Sequence, residues 1–473
     1  MNNRMAKVVC TIGPASMNPD IIRGLIRNGL NVARLNFSHG THESHREVIH
    51  NVRRIAKEEG RNVGILQDLA GPKIRLGMLP EEGVSLINGT EIALSSMIKE
   101  YIPGVLPVAY PNLHEDVVPG ELILLADGMM ELQVSAVGED RVYCTVTNGG
   151  QIFSRKGVNL PNSNLKIKAF SDKDRADLIM GLEESVDFVA VSFVRSEEDL
   201  KEVKSVIESS GKNPLLIAKI EKPQAVENLD NILMNVDALM VARGDLGVEM
   251  PLERVPIIQK QVINAARLAG KPVITATQML MSMVSSPRPT RSEASDVANA
   301  ILDGTDAVML SDESANGSYP VQACNMLGRI VATTEPYLRK QNILLQINKT
   351  HNMSDVSSAV GRAAASMAED VGASAIVAFT QSGFTANAVA QFRPICPILV
   401  LTPNEDTCRR VSLYWGTRAV LTREFTQTDD MFSEARQAVL SSGMVKEGER
   451  IVITAGIPFG QKGTTTLLRV LEL

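Results

Sequence analysis

At 473 residues the chain is too long for one ordinary core, so about two or three domains are expected. It is 44% apolar and 22% charged, close to an average soluble globular protein. The net charge of −6 is modest and no long Lys/Arg block occurs, which argues against nucleic acid or a membrane surface as partner. Anionic substrates stay open, because they need only local cations and metals.

The opening MNNRMAKVVCTIG enters an apolar strand directly, with no secretory apolar region, and no apolar run approaches the ~20 residues of a membrane span. The scattered cysteines (Cys10, Cys144, Cys324, Cys396, Cys408) lack CxxC or zinc spacing and read as reduced thiols. A cytoplasmic protein is expected.

Short β-rich runs then alternate with helix-like stretches. The predicted strands are KVVCTIG (7–13), NVARLNFS (31–38), NVGILQDL (62–69), FVAVSFV (188–194), LLIAKIE (215–221), ALMVARG (238–244), PVITATQ (272–278) and AVMLSDE (307–313). Polar segments such as SHREVIHNVRRIAKEEG lie between most of them. This rhythm predicts a (β/α)8 barrel, with a two-sided open sheet as the alternative. The long interval between the third and fourth strands holds alternating stretches with Gly and Pro punctuation, which suggests a small all-β domain inserted into a barrel loop. After QNILLQINKTHNMSD, which reads as a linker, the helix pattern SSAVGRAAASMAEDVG leads to AIVAFT, PILVLTP, TRAVLTR and RIVITAG, an α/β pattern. The expected division is 1–71 with 165–342 as barrel, 72–164 as inserted β-barrel lid and 343–473 as C-terminal α/β regulatory domain.

Chemically useful residues fall at the strand ends, where a barrel gathers its active site. Lys219 and Glu221 are two apart and share a face of their strand, and Asp245 ends the next one. A Lys and two carboxylates aimed at one place suit a metal ion holding an anionic substrate. Arg34, Asn36 and Ser38 also share a face, the Arg able to hold a phosphoryl oxygen and the two oxygens a cation. DLAGPKIRLG adds Asp68, Lys73 and Arg75, the last suited to bidentate phosphate contacts. Gly244 lets a ligand approach the backbone beside Asp245. Thr277 and Ser311 could bind an anion or relay a proton, although either hydroxyl alone is more often a local cap or turn. Neither a Walker A loop nor a GxGxxG after a strand is present, so nucleotide binding would not use those cradles.

Together KVVCTIGPAS, NVARLNFSHGTHESH, GPKIR, KGVNLP, AKIEKPQAVEN, MVARGDLGVE, PVITATQML, PRPTRSEASDVANAILDGTDAVMLS and TAGIPFGQKGTTTLLRV resemble the pyruvate kinase family across nearly the whole chain. The resemblance implies a barrel with a β lid and a C-terminal α/β domain, usually a homotetramer, that transfers the phosphoryl group of phosphoenolpyruvate to ADP. Carried over by position, Glu221 and Asp245 match the ligands of Mg2+ (or Mn2+), and Lys219 the lysine facing the phosphoryl group. Arg34 and Arg75 match the arginines around phosphate and nucleotide. Thr277 and Ser311 match the proton-delivery hydroxyls, His39 a nucleotide contact and Asp127 a lid aspartate. Asn36, Ser38, Asp68 and the Leu69 carbonyl match the potassium ligands. Two readings compete: a metal-dependent lyase or aldolase of the wider barrel group, and a metabolite-binding regulator on the same scaffold. Neither uses the full set of lysine, carboxylates, arginines and lid.

The chain departs from the family pattern in places. Asp312 and Ser314 stand where Gly or Ala and Thr are usual, and NLKIKAFSDKD lacks the commoner Leu-Pro. Lys73 replaces the Glu of potassium-dependent relatives, with Leu69 and Ala70 for their Thr and Lys, which implies activity without K+. Thr380, Ser382 and Thr385 mark a strand-to-helix turn that resembles the family's effector loop and suits phosphate. The alternative there is an ordinary helix cap. Gln381 and Phe384 replace the usual Lys and Arg, so the expected effector is a phosphorylated molecule other than fructose 1,6-bisphosphate, such as a monophosphate sugar or AMP.

Overall fold

The computed structural model describes residues 4–161, 163, 165–340, 355–457 and 464–473. Eight parallel strands close into a barrel: β1 (Lys7–Thr11), β2 (Val32–Asn36), β3 (Gly64–Asp68), β4 (Phe188–Val191), β5 (Leu215–Ile220), β6 (Ala238–Ala242), β7 (Val273–Ala276) and β8 (Ala307–Leu310). Each pairs with the next in sequence and β8 pairs back with β1, so the open-sheet alternative is excluded. The strands are buried almost throughout because helices cover their outer faces, and for that reason they read as continuous apolar runs. Each ends a few residues before its predicted run. The polar ends of two runs become helix starts instead, Arg243–Glu249 after β6 and Asp312–Ala315 after β8.

The covering helices carry local start signals. Thr41, Ser171 and Thr290 each close a capping box with the residue three places on, satisfying N–H groups that the first turn leaves unpaired. Gly64, at the start of β3, is required by close packing: a Cβ there would come within 2.5 Å of the buried Phe188 ring.

The strand N-termini share a further device. Asp187, Asp237 and Asp306 stand immediately before β4, β6 and β8. Their Oδ2 atoms accept the N–H groups of Ile65, Leu216 and Val273 at 2.8, 2.8 and 3.0 Å, which ties each strand to its neighbour. Two of them also receive a guanidinium from beyond residue 355. Arg393 grips Asp306 with both terminal nitrogens (2.5 and 2.8 Å), and its charge lies 4.6 Å over the Trp415 ring. Arg409 Nε reaches Asp187 at 2.9 Å.

Between β3 and β4 the chain builds a six-stranded and a two-stranded sheet around a separate core that includes Leu94, Leu106, Ile123, Leu132 and Val142. Beyond residue 355, the strands Ala375–Phe379, Ile398–Thr402, Thr417–Leu421 and Arg450–Ala455 form a parallel sheet, with Leu467–Glu472 added antiparallel on one edge. That last strand was not among the predicted ones. The linker expected at 341–355 lies outside the described residues except for Asp355, which caps the helix Val356–Asp370 by accepting the Ser358 N–H at 2.9 Å. Residues 458–463 of the closing motif lie outside them too.

Candidate active site

The strand C-termini converge on Lys219. Near the end of β5, its Nζ lies 3.4 Å from Asp68 Oδ1 at the end of β3 and 3.3 Å from Glu221 Oε2. It also donates to Ser192 Oγ at 2.6 Å, and that hydroxyl donates to the Leu69 carbonyl at 2.7 Å. Arg34 on β2 holds Asp68 Oδ2 through Nε at 2.7 Å and reaches Thr11 Oγ1 through Nη1 at 2.8 Å. Glu221 Oε1 accepts the Phe193 N–H at 2.6 Å. Its Oε2, like Asp68 Oδ1, is buried without a hydrogen-bond donor among the described residues.

Burial pulls the Lys219 ammonium toward neutrality, but Asp68, Glu221 and Asp245 outweigh it and hold its pKa above the ordinary lysine range. Burial resists the ionisation of Asp68 as well, yet Lys219 and Arg34 keep it below the usual carboxylate value. Glu221 goes the other way. Burial pushes it up to about 7, Lys219 opposing and Asp245 adding to the rise. A carboxylate that resists its own charge is one that a further cation would satisfy.

Asp245 sits in the first turn of Arg243–Glu249 and, with Glu221, lines a cleft that also takes Lys73 and Asp127 from the lid. Among the described residues no group of three or more His, Cys, Asp or Glu forms a metal cluster. Two carboxylates, one oxygen of which lacks a donor, still fit an ion such as Mg2+, which commonly takes one or two protein carboxylates and completes its shell with water and substrate phosphate.

After β7, Thr277 and Gln278 both adopt the left-handed region, at φ 68° and 54°. Such non-glycine residues cost roughly 1–3 kcal/mol each and persist only where the surroundings impose them. Arg243 does so here: it donates to the Thr277 carbonyl at 2.8 Å and to Asp296 at 2.7 Å. Thr277 Oγ1 accepts the Gly244 N–H at 2.7 Å and donates to the Ala276 carbonyl at 2.6 Å. A Cβ on Gly244 would press to 3.3 Å from that hydroxyl oxygen, so a side chain there would have to displace the Thr277 hydroxyl by a few tenths of an ångström. Ser311 Oγ is buried with no hydrogen-bond partner among the described residues.

Other predicted residues sit further out. Ser38 lies past the end of β2, where its N–H donates to Asn36 Oδ1 at 3.1 Å. His39 is exposed, and its carbonyl meets His45 Nε2 at 2.9 Å. Arg75 is turned to the Arg155 carbonyl at 3.1 Å, within the lid. Lys73 Nζ stands 3.9 Å from Asp127 Oδ1, on a side chain 40% exposed. At the C-terminal five-stranded sheet, Thr380 Oγ1 accepts the Gly383 N–H at 2.9 Å, Ser382 is half-buried, and Thr385 is buried with its hydroxyl 3.1 Å from that of Thr465.

The family profile described as the pyruvate kinase barrel domain matches residues 3–324, and that of the pyruvate kinase alpha/beta domain residues 358–471. The chain belongs to the pyruvate kinase family. A pyruvate kinase of Geobacillus stearothermophilus is 46% identical over 99% of this chain and 80% of its own length. One of Agrobacterium vitis is 44% identical over 100% of this chain and 97% of its own.

Two departures from the pyruvate kinase pattern lie in the segment after β8. Ser314 Oγ is buried and donates to the Thr11 carbonyl at 2.8 Å, while Asp312 is exposed and accepts from Asn316 at 2.9 Å. Sequence reading missed Ser192, although a polar residue closing the apolar run FVAVS follows the rule that picked out the other strand ends. It also missed Glu313, whose carboxylate accepts the Leu280 and Ser311 N–H groups at 2.9 and 2.7 Å and so ties the loops after β7 and β8. Pairing of that kind leaves no local sequence signal.

Proposed function

We propose that this chain transfers the phosphoryl group of phosphoenolpyruvate to ADP, giving pyruvate and ATP as the final step of glycolysis, at the C-terminal end of its barrel. The observation that carries the reading is Lys219, held charged between Asp68 and Glu221 beside a cleft that Asp245 lines. Family membership supplies the substrates. Glu221 and Asp245 would hold the divalent ion, Mg2+ or Mn2+, which supplies charge neutralisation at the phosphoryl and enolate oxygens.

The protein's own work is placement and charge. Lys219 faces the transferring group, whose negative charge spreads over three oxygens, and it acts without reorganising because its neighbours already fix it. Arg34 and Arg75 orient the polyanions, with His39 and Asp127 on the nucleotide side. Asp127 and Lys73 narrow the cleft from the lid and limit water at the reacting atoms. Departure of the phosphoryl group leaves the enolate of pyruvate, which takes a proton at carbon from water or a relay through Thr277 and Ser311. The Gly244 N–H points the Thr277 oxygen, and the unpartnered Ser311 hydroxyl is available to join that relay.

Three finer readings belong to the same proposal. Activity does not require K+, because the Lys73 ammonium, here 3.9 Å from Asp127 Oδ1, sits on a flexible stem that can carry its charge toward the Asn36, Ser38, Asp68 and Leu69 group. The Thr380, Ser382 and Thr385 loop takes a phosphorylated effector. The protein works as a cytoplasmic homotetramer, and exposed Leu252 and Ile257 on the barrel flank offer apolar surface for assembly. A coupled assay for pyruvate from phosphoenolpyruvate, ADP and Mg2+ tests the main reading. Absence of pyruvate, with the protein folded, overturns it.

A further inference from the structure

The lid meets the barrel at a buried polar contact that the phosphoryl chemistry does not use. Asn159, at the end of the short lid strand Val158–Asn159, donates from Nδ2 to Glu249 Oε1 at 2.8 Å. The same oxygen accepts from Lys222 Nζ at 2.7 Å. The Lys222 and Glu249 side chains are only 8% and 2% exposed, and the Lys222 ammonium lies 5.3 Å over the Phe193 ring. Glu249 Oε2 has no donor among the described residues, so both of its partners share one oxygen.

The position of this contact gives it a consequence for the site. Lys222 directly follows Glu221, and Glu249 stands one helical turn after Asp245 on Arg243–Glu249. A single lid side chain is therefore bonded to the helix that carries Asp245 and, through Glu249, linked to the residue that follows Glu221. Close by, lid Gly128 packs near Val248 of the same helix, where an added Cβ would lie 3.8 Å from Val248 Cγ1.

We propose that Asn159 is a positioning residue: it latches the lid onto the Lys222–Glu249 pair, so that lid closure and the placement of Glu221 and Asp245 occur together. The chemistry of the three residues suits a reversible latch. Lys222 and Glu249 balance each other's charge with the lid in place or away. A neutral amide then adds a hydrogen bond to a charged acceptor without burying a new charge. An acidic side chain at the same place would meet Glu249 with like charge.

This inference rests on the functional reading of the cleft, and its test separates the two. Steady-state kinetics and backbone hydrogen exchange of the ligand-free, full-length protein are measured for Asn159→Ala, Asn159→Asp and the double variant Asn159→Asp with Glu249→Gln. Asn159→Ala should raise KM for ADP about tenfold with kcat within about threefold, as when a lid that latches less often weakens substrate and transition-state binding alike. It should also speed exchange in the lid hinges around Ile74 and Leu160. Asn159→Asp should lose more. The double variant reverses donor and acceptor, leaves one carboxylate for Lys222, and should recover most of that loss, as coupled partners do. An unchanged KM and unchanged hinge exchange in Asn159→Ala would overturn the latch, as would a double variant that recovers nothing. Should the acidic variants fold poorly, the alanine variant alone decides it by the same two readouts. A wild type that makes no pyruvate overturns the functional reading instead, while the exchange measurement still reports on the latch.

Discussion

At the N-terminal end of the barrel, Asp187 and Asp306 each accept a strand N–H and a guanidinium, so both oxygens of each have fixed donors, although burial still holds Asp187 above the ordinary carboxylate value. At the C-terminal end, Asp68 and Glu221 crowd Lys219, and each keeps one buried oxygen with no hydrogen-bond donor among the described residues. Both ends bury acids among strands of the same kind. The first uses its charges to hold the barrel sheet and attach the C-terminal five-stranded sheet. The second leaves one oxygen of each acid without a donor among the described residues, a state that ligands or ions can complete. Stability and activity should therefore separate along the barrel axis.

The largest effect expected of that separation is on Lys219→Met. Its charge matters most when the phosphoryl group is in transit, so kcat should fall by about a thousandfold or more, with a much smaller change in KM. Nearly normal turnover would remove Lys219 from its role. Arg393→Ala probes the opposite end. Breaking a buried ion pair by removing one partner costs about 3–5 kcal/mol, so the thermal midpoint should drop by several degrees. Turnover of the molecules that stay folded should hardly change, and a kcat loss comparable with that of Lys219→Met would erase the contrast between the two ends.

Glu221 makes the contrast pH-dependent. Its ordinary pKa of 4.5 is raised to about 7 in the folded, metal-free protein. Between these values the folded state keeps a proton that the unfolded state has lost. The stabilisation from that proton is present at low pH and disappears as pH rises through about 7. Melting curves of wild type and Glu221→Gln without metal should diverge accordingly, the wild type losing stability relative to the variant across that window. Mg2+ must displace the same proton, so its affinity should weaken as pH falls below about 7. Affinity independent of pH from 5.5 to 7.5, a range of roughly two pH units, would show that Glu221 does not ligate the ion.

The smallest effect concerns potassium. Wild-type activity in K+-free buffer should lie within about twofold of that in K+, while Lys73→Glu should create a K+ requirement, one monovalent cation standing in for the other. A wild type silent without K+ would end the idea and leave the phosphoryl-transfer reading intact.

Much of this was legible in the chain itself. Parallel barrel strands are buried on both faces, so runs such as FVAV and ALMVA announce themselves, and their first polar residues mark where the active end must lie. The two-residue alternation was enough to set Lys219 and Glu221 side by side, because a strand leaves side chains no other arrangement. Tertiary structure alone decided which strand-end charges turn inward and what they meet. Arg75 faces Arg155 within the lid, Ser192 bridges Lys219 and Leu69, and Asn159 finds Glu249 ninety residues away. The edge strand Leu467–Glu472 also escaped sequence reading, since it is largely exposed and acquires its identity only by pairing with Arg450–Ala455. Local pattern reports what a segment buries. The partner of a polar group is set by chain closure over long separations, and only the folded molecule contains that information.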